Sequence, residues 1–110
     1  MIQYTTPTQT FRVKKIDITP YKIYLTFTQG NRRLTKTGDD LTVRKETVGQ
    51  DVNTLISVML SQQETAFFRT DSYVYVKVNW IDSNGVRGSS KTAYFSMESN
   101  LLDEVISYDD

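Results

Sequence analysis

Hydrophobic and polar residues alternate along much of this 110-residue chain, and an alternation of period two predicts strands with one covered face. From Tyr21 to Phe27 the residues Tyr21, Ile23, Leu25 and Phe27 fall on one side. Lys22, Tyr24, Thr26 and Thr28 fall on the other. Ser72 to Trp80 repeats the pattern, with Val74, Val76, Val78 and Trp80 opposed to Tyr73, Tyr75, Lys77 and Asn79. A third segment, Val52 to Leu60, places Thr54, Ile56, Val58 and Leu60 together. Its second face mixes Asn53 and Ser57 with Leu55 and Met59, so that face is expected to be partly covered. Shorter strands are predicted at Thr10–Val13, Arg32–Lys36, Leu41–Lys45 and Lys91–Met97.

The punctuation between these runs supports the same reading. Gln29-Gly30-Asn31, Thr37-Gly38-Asp39-Asp40 and Asp82-Ser83-Asn84-Gly85 carry residues that tolerate positive φ or cap local amides. Asp17-Ile18-Thr19-Pro20 closes the first unit, because proline cannot donate to a central ladder. Ser61-Gln62-Gln63-Glu64 has the Ser-x-x-Glu spacing of a capping box and predicts a short helical turn near 61–68. About seven strands with turns roughly every eight to twelve residues give an all-β fold, an Ig-like antiparallel sandwich, with a barrel as the alternative. The expected layout is an N-terminal arm over 1–7, the sandwich over 8–98 and an acidic-amphipathic tail over 99–110.

Composition narrows the chemistry. Lys plus Arg is 13 and Asp plus Glu is 13, so no net charge draws the chain to nucleic acid or an anionic membrane. Cysteine and histidine are both absent. That removes thiolate catalysis, disulfides, the usual general base near neutral pH and the commonest metal ligands. No apolar run approaches the 18 or so residues of a membrane-spanning helix, and the first residues lack the charged and apolar regions of a signal peptide. The acidic pairs Asp39-Asp40, Asp103-Glu104 and Asp109-Asp110 occupy a turn and the tail, where little would shift a carboxyl pKa. No enzymatic role, cofactor, metal or small-molecule substrate is expected, and the oxygens of Asp82-Ser83-Asn84-Gly85 are better explained by a hairpin turn than by a calcium loop.

Two surfaces remain as candidates. Tyr73 and Tyr75 share the outward face of their strand, and Tyr24 and Tyr94 lie on the outward faces of theirs, close in sequence to Lys22, Lys77 and Lys91. Tyrosine suits interfaces because its ring buries area while its hydroxyl stays hydrogen-bonded. Mixed with cations, such rings can also stack on sugars or bases. The plainer reading is cross-strand pairing on a solvated sheet. The second surface is the tail, where Leu101, Leu102, Val105 and Ile106 would form one stripe of a helical turn or two. Ten residues are too few for a stable lone helix, so this segment either folds back or docks on a neighbour.

Several short motifs occur in a characteristic order. Thr6-Pro7-Thr8-Gln9-Thr10-Phe11 is followed by Tyr24-Leu25-Thr26-Phe27-Thr28-Gln29-Gly30. Leu34-Thr35-Lys36-Thr37 with Asp39-Asp40 comes next, then Leu60-Ser61-Gln62-Gln63-Glu64-Thr65 with Phe67-Phe68, and finally Leu101-Leu102-Asp103-Glu104-Val105-Ile106. In this arrangement, from Thr6 to Ile106, the chain resembles a family of small proteins of phages and prophages of anaerobic Gram-positive bacteria, whose genes tend to sit among virion and tail genes. The stretch Leu41–Val52 is longer than that family's pattern. The resemblance implies a virion structural or tail-associated role, with partners among other virion proteins or further copies of itself, and production in the host cytoplasm. It carries over no catalytic residue. A carbohydrate-binding adhesion module is the alternative.

Overall fold

The computed structural model describes residues 1–109. In chain order its strands are β1 (Thr8–Val13), β2 (Lys22–Gln29), β3 (Arg32–Thr37), β4 (Leu41–Val48), β5 (Asp51–Met59), β6 (Val74–Ile81), β7 (Arg87–Ser89) and β8 (Ala93–Phe95). They form two antiparallel sheets, one ordered β1-β5-β4 and the other β3-β2-β6, with β7 and β8 both beyond β6. The expected all-β sandwich is therefore what the chain adopts. A 3-10 turn, Gly38–Asp40, joins β3 to β4, and helix α1 (Gln62–Phe67) follows β5.

The alternating side chains meet between the sheets. Ile23, Leu25 and Phe27 of β2, Val74, Val76 and Val78 of β6, and Ile56 and Val58 of β5 are all buried. Phe27 sits at the centre, its ring centroid 6.0 Å from Phe11, 6.3 Å from Phe95 and 6.4 Å from Phe68. Edge-to-face and tilted arrangements of this kind suit the ring quadrupole. On the second face of β5, Leu55 is buried while Met59 is exposed, the partial cover that the mixed pattern predicts.

Two buried polar side chains tie loops to this core. Thr54 Oγ1 accepts from Ile18 N at 3.0 Å and donates to Ile16 O at 2.9 Å, holding the 16–18 connection against β5. Gln29 donates to Arg69 O and Ser72 O and accepts from Arg69 N, which fixes the 69–72 loop. Among the described residues no buried side-chain polar atom lacks a partner, as a stable interior requires.

The turns follow their residues. Gly30, at φ +60°, occupies the first position of the two-residue link between Gln29 and Arg32, where a side chain would be strained. The capping box forms: Ser61 Oγ accepts from Glu64 N at 3.2 Å, and Glu64 Oε1 accepts from Ser61 N at 2.9 Å. Asp82 Oδ1 accepts from both Asn84 N and Val86 N at 2.9 Å, so that carboxylate is engaged in the hairpin turn.

Some bounds differ from expectation. β1 starts two residues earlier than Thr10, β2 starts at Lys22 rather than Tyr21, and β4 continues to Val48. The extension of β4 is supported by Arg12, whose guanidinium makes a two-pronged pair with Glu46 across the sheet. The strand expected over Lys91–Met97 is shortened to β8, and an unexpected strand, β7, joins it along the same edge of β6. β7 pairs in the register Trp80↔Gly88 and β8 in the register Tyr75↔Tyr94, offset by one residue. Ser90 absorbs the slip, its N donating to Val78 O at 2.9 Å and its Oγ accepting from Val78 N at 3.0 Å. Such a bulge blunts an edge that could otherwise recruit another strand. Opposite Trp80, Gly88 leaves room for the indole: a Cβ there would lie 2.5 Å from Trp80 Nε1.

Residues 1–7 lie against the domain. Ile2 bridges Glu98 in parallel, the terminal ammonium donates to Ser96 O at 3.0 Å, and Gln3 Nε2 donates to Phe68 O at 2.7 Å. The helical stripe expected in the tail does not form. Residues 99–109 are irregular, and the backbone N–H and C=O of Ile106 are both taken by the Gln62 side-chain amide, at 2.9 and 2.8 Å. A segment this short gains too little from its own hydrogen bonds to nucleate a helix.

Candidate interaction surface

The outward face of the five-stranded sheet is built in rows set by strand register. One row runs Arg33–Thr28–Tyr75–Tyr94 across β3, β2, β6 and β8. The next joins Thr35, Thr26 and Lys77, and the one after it joins Thr37, Tyr24, Asn79 and Ser89. Thr26 Oγ1 and Thr35 Oγ1 are 3.2 Å apart, a cross-strand hydrogen bond on this open face.

Three of the four tyrosines singled out from the sequence come together. The Tyr94 ring centroid lies 5.1 Å from Tyr73, edge to face, and 6.2 Å from Tyr75. All three rings stay about half exposed or more, at 51%, 47% and 65% for Tyr73, Tyr75 and Tyr94. Tyr24 shares the face but stands apart. It pairs with Asn79, four residues along β6 from Tyr75, or about 13 Å at strand rise. Lys22 Nζ sits 5.5 Å from the Tyr24 centroid, a cation–π distance.

The electrostatics of the sheet are one-sided. No Asp or Glu occurs in β2, β3, β6, β7 or β8, whereas Lys22, Arg33, Lys77 and Arg87 stand on the outward face. Arg87 donates to Asn79 Oδ1 at 3.2 Å. The other two cations of the sheet are used at its β3 edge: Arg32 donates to Phe67 O at 2.6 Å and stacks over that ring, and Lys36 pairs with Glu64. Burial pushes the Glu64 carboxyl up, but hydrogen bonds from Lys36 and Ser61 N outweigh it and hold its pKa below the ordinary value. The threonine rows and Arg33 and Arg87 escaped the sequence reading. The alternation of Arg33, Thr35 and Thr37 was the signal that could have placed them.

The tail residues Leu101, Leu102, Val105 and Ile106 are not drawn into the core. Leu101 is fully exposed and the other three are about half exposed. Beyond Ile106, the segment is held through Asn100 Nδ2, which donates to Gln3 O at 3.2 Å. The tail and the tyrosine cluster are thus two separate surfaces.

The acidic pairs lie where the sequence put them. Asp39 and Asp40 are exposed in the 3-10 turn, Asp103, Glu104 and Asp109 are exposed in the tail, and Asp110 lies outside the described residues. Asp17 and Glu46 hold their protons less readily than usual, Asp17 because Thr19 Oγ1 and N donate to it, Glu46 because Arg12 and then Asn53 do. Both are partly exposed carboxylates serving a turn and a cross-strand pair. Among the described residues no group of three or more Asp or Glu side chains could jointly hold a metal ion. Among the described residues no helix is long and apolar enough to cross a membrane. No protein-family model matches the chain, and no curated protein matches it.

Proposed function

We propose that this chain is a non-enzymatic structural or accessory protein of a phage virion, associated with tail or capsid, that works by protein contact through the outward face of its five-stranded sheet. The observation that carries the contact is the Tyr73–Tyr75–Tyr94 cluster, three rings left half-exposed on a sheet face without a carboxylate. Rings already held against one another lose little freedom on docking, which favours them as anchors. The virion assignment rests on the resemblance described above, and with it go synthesis in the host cytoplasm and residence in the particle. Neighbouring virion proteins or further copies of the chain are the partners, and neither nucleic acid, membrane nor a small-molecule substrate has a part.

The test has two arms. Mass spectrometry of purified particles should detect the chain at a fixed ratio to the major virion proteins. A Tyr75→Ser, Tyr94→Ser variant, which leaves the core untouched, should fold normally and be incorporated at a much reduced level. Its absence from particles, or full incorporation of the variant, would end this reading.

A second reading, a carbohydrate-binding adhesion module, is favoured by one feature. A shallow dip of about 350 Å3 lies beside Tyr75, with Thr28, Arg33, Lys77, Asn79 and Arg87 around it. An exposed ring next to convergent hydrogen-bonding groups can stack a sugar. A glycan array separates the two: saturable binding lost on Tyr75→Ser selects this reading, and a blank array leaves the protein-contact one.

A further inference from the structure

The sandwich is open along one side. β1 pairs only with β5, and β7 and β8 pair only with β6, so the two sheets part there. Between them lies a cleft of about 880 Å3, larger than the dip beside Tyr75. Its floor is apolar: Phe11, Val13 and Ile16 face Val76, Val78 and Trp80. Its rim is cationic. Lys14, Lys15 and Lys91 are exposed along it and, among the described residues, no carboxylate lines it, while Arg12, also at the rim, is occupied by Glu46.

A groove with an apolar floor and a basic rim suits an acidic segment that carries exposed apolar side chains. The chain carries one. Residues 99–110 hold four carboxylates, no Lys or Arg and no Gly or Pro. Leu101 is fully exposed, Leu102, Val105 and Ile106 are about half exposed, and residues 99–109 have no regular structure that docking would have to break. Charge is balanced over the whole chain but segregated between these two places, which complement each other in sign and in apolar content. The tail of the same molecule is directed elsewhere, because Gln62 holds Ile106 by both backbone groups and Asn100 bonds Gln3 O.

We infer that the cleft between β1 and β7–β8 is the docking site for the C-terminal segment, residues 99–110, of a second copy of this chain. The inference rests on the assembly reading proposed above and names its partner, but uses a different surface from the tyrosine face. Leu102 and Ile106 enter the apolar floor, and Asp103 and Glu104 meet the lysine rim. Because tail and cleft are different patches, the contact is heterologous. Two copies exchanging tails close a dimer, and one-way donation builds a ring or filament.

A fluorescently labelled peptide of residues 99–110, titrated into the full-length protein at low concentration, tests it by anisotropy, with sedimentation velocity reporting mass. Saturable binding is expected, weakened by added salt. It should weaken at least about tenfold, or about 1.4 kcal/mol, when Lys14, Lys15 and Lys91 are all changed to Glu. All three lysines are exposed, so the triple variant should keep its fold by circular dichroism. Should it not, a peptide carrying Leu102→Ser and Ile106→Ser must lose binding to the unaltered protein by a similar factor. The unaltered chain should also gain mass with concentration, and Tyr75→Ser should change none of these results. No peptide binding, equal binding to the triple variant, equal binding of the altered peptide, or a chain that stays monomeric would overturn the inference. Each of those results leaves the particle test of the tyrosine face standing, and failure of the particle test leaves the peptide titration standing.

Discussion

The two ends of the chain are neighbours around α1, yet only one of them belongs to the fold. The first seven residues are short and mostly polar, and they are fixed by backbone pairing. Gln3 N donates to Glu98 O and Glu98 N to Met1 O, Leu60 N donates to Pro7 O, and the buried Thr65 donates its hydroxyl to Thr5 O. The last residues carry more apolar side chains, yet hang by one glutamine and one asparagine with Leu101 and Tyr108 in solvent. Apolar content alone does not fold a terminus. What decides is whether the domain offers unpaired backbone groups in matching register, and here it offers them to the first segment only.

That contrast can be broken in graded steps. Deleting residues 1–6 removes six hydrogen bonds to the rest of the chain and the packing of Met1 on the core. At about 0.5–1 kcal/mol each, a loss of about 3–6 kcal/mol is expected in urea unfolding. Thr65→Val keeps the shape but leaves Thr5 O without its donor, and should cost about 1–2 kcal/mol by the same measurement. If it costs nothing, the arm is held by something other than these bonds.

A smaller effect should come from pH, through the helix on which both ends converge. Because the folded-state pKa of Glu64 lies below its ordinary 4.5, the pair with Lys36 stabilises the fold above that value. Its contribution is lost as pH falls through the lowered folded pKa. Urea midpoints between pH 7 and pH 3 should therefore fall less steeply for Glu64→Gln than for the unaltered chain, and parallel curves would remove Glu64 from the account. The smallest effect should be at the other end. A chain ending at Asn100 should unfold within about 0.5 kcal/mol of the full one at concentrations where neither self-associates. A larger loss would mean that the tail is part of the fold after all.

Much of the fold was legible because its signals are local. The alternations at Ile23–Phe27 and Val74–Val78 are buried as the pattern required, while Tyr21 is exposed and Trp80 partly buried, and Ser61 and Glu64 cap α1 as their spacing predicted. The parts that escaped depend on what a distant strand supplies. Nothing in Arg87–Ser89 looks like a strand. It becomes one because β6 has a free edge and Gly88 fits beneath Trp80. The tail's i, i+1, i+4, i+5 spacing was a true amphipathic pattern without a covering surface in the same molecule, and so made no helix. The tyrosines were visible as outward-facing residues, but which of them meet was not. Tyr94 joins Tyr75 only through the register of β8, which the one-residue slip at Ser90 sets.

That same corner holds the chain's only tryptophan. Trp80 is partly buried, rests on Gly88 and lines the open side of the sandwich. The chain therefore carries one indole fluorophore, which can be excited apart from its tyrosines, at the point where its two sheets part. Its emission colour is an optical gauge of water in that corner, moving to shorter wavelength when the indole is covered and to longer wavelength when β7 frays from β6. Gly88→Ala, which would push the indole away, supplies the reference spectrum, so the most irregular edge of the protein can be followed without attaching a dye.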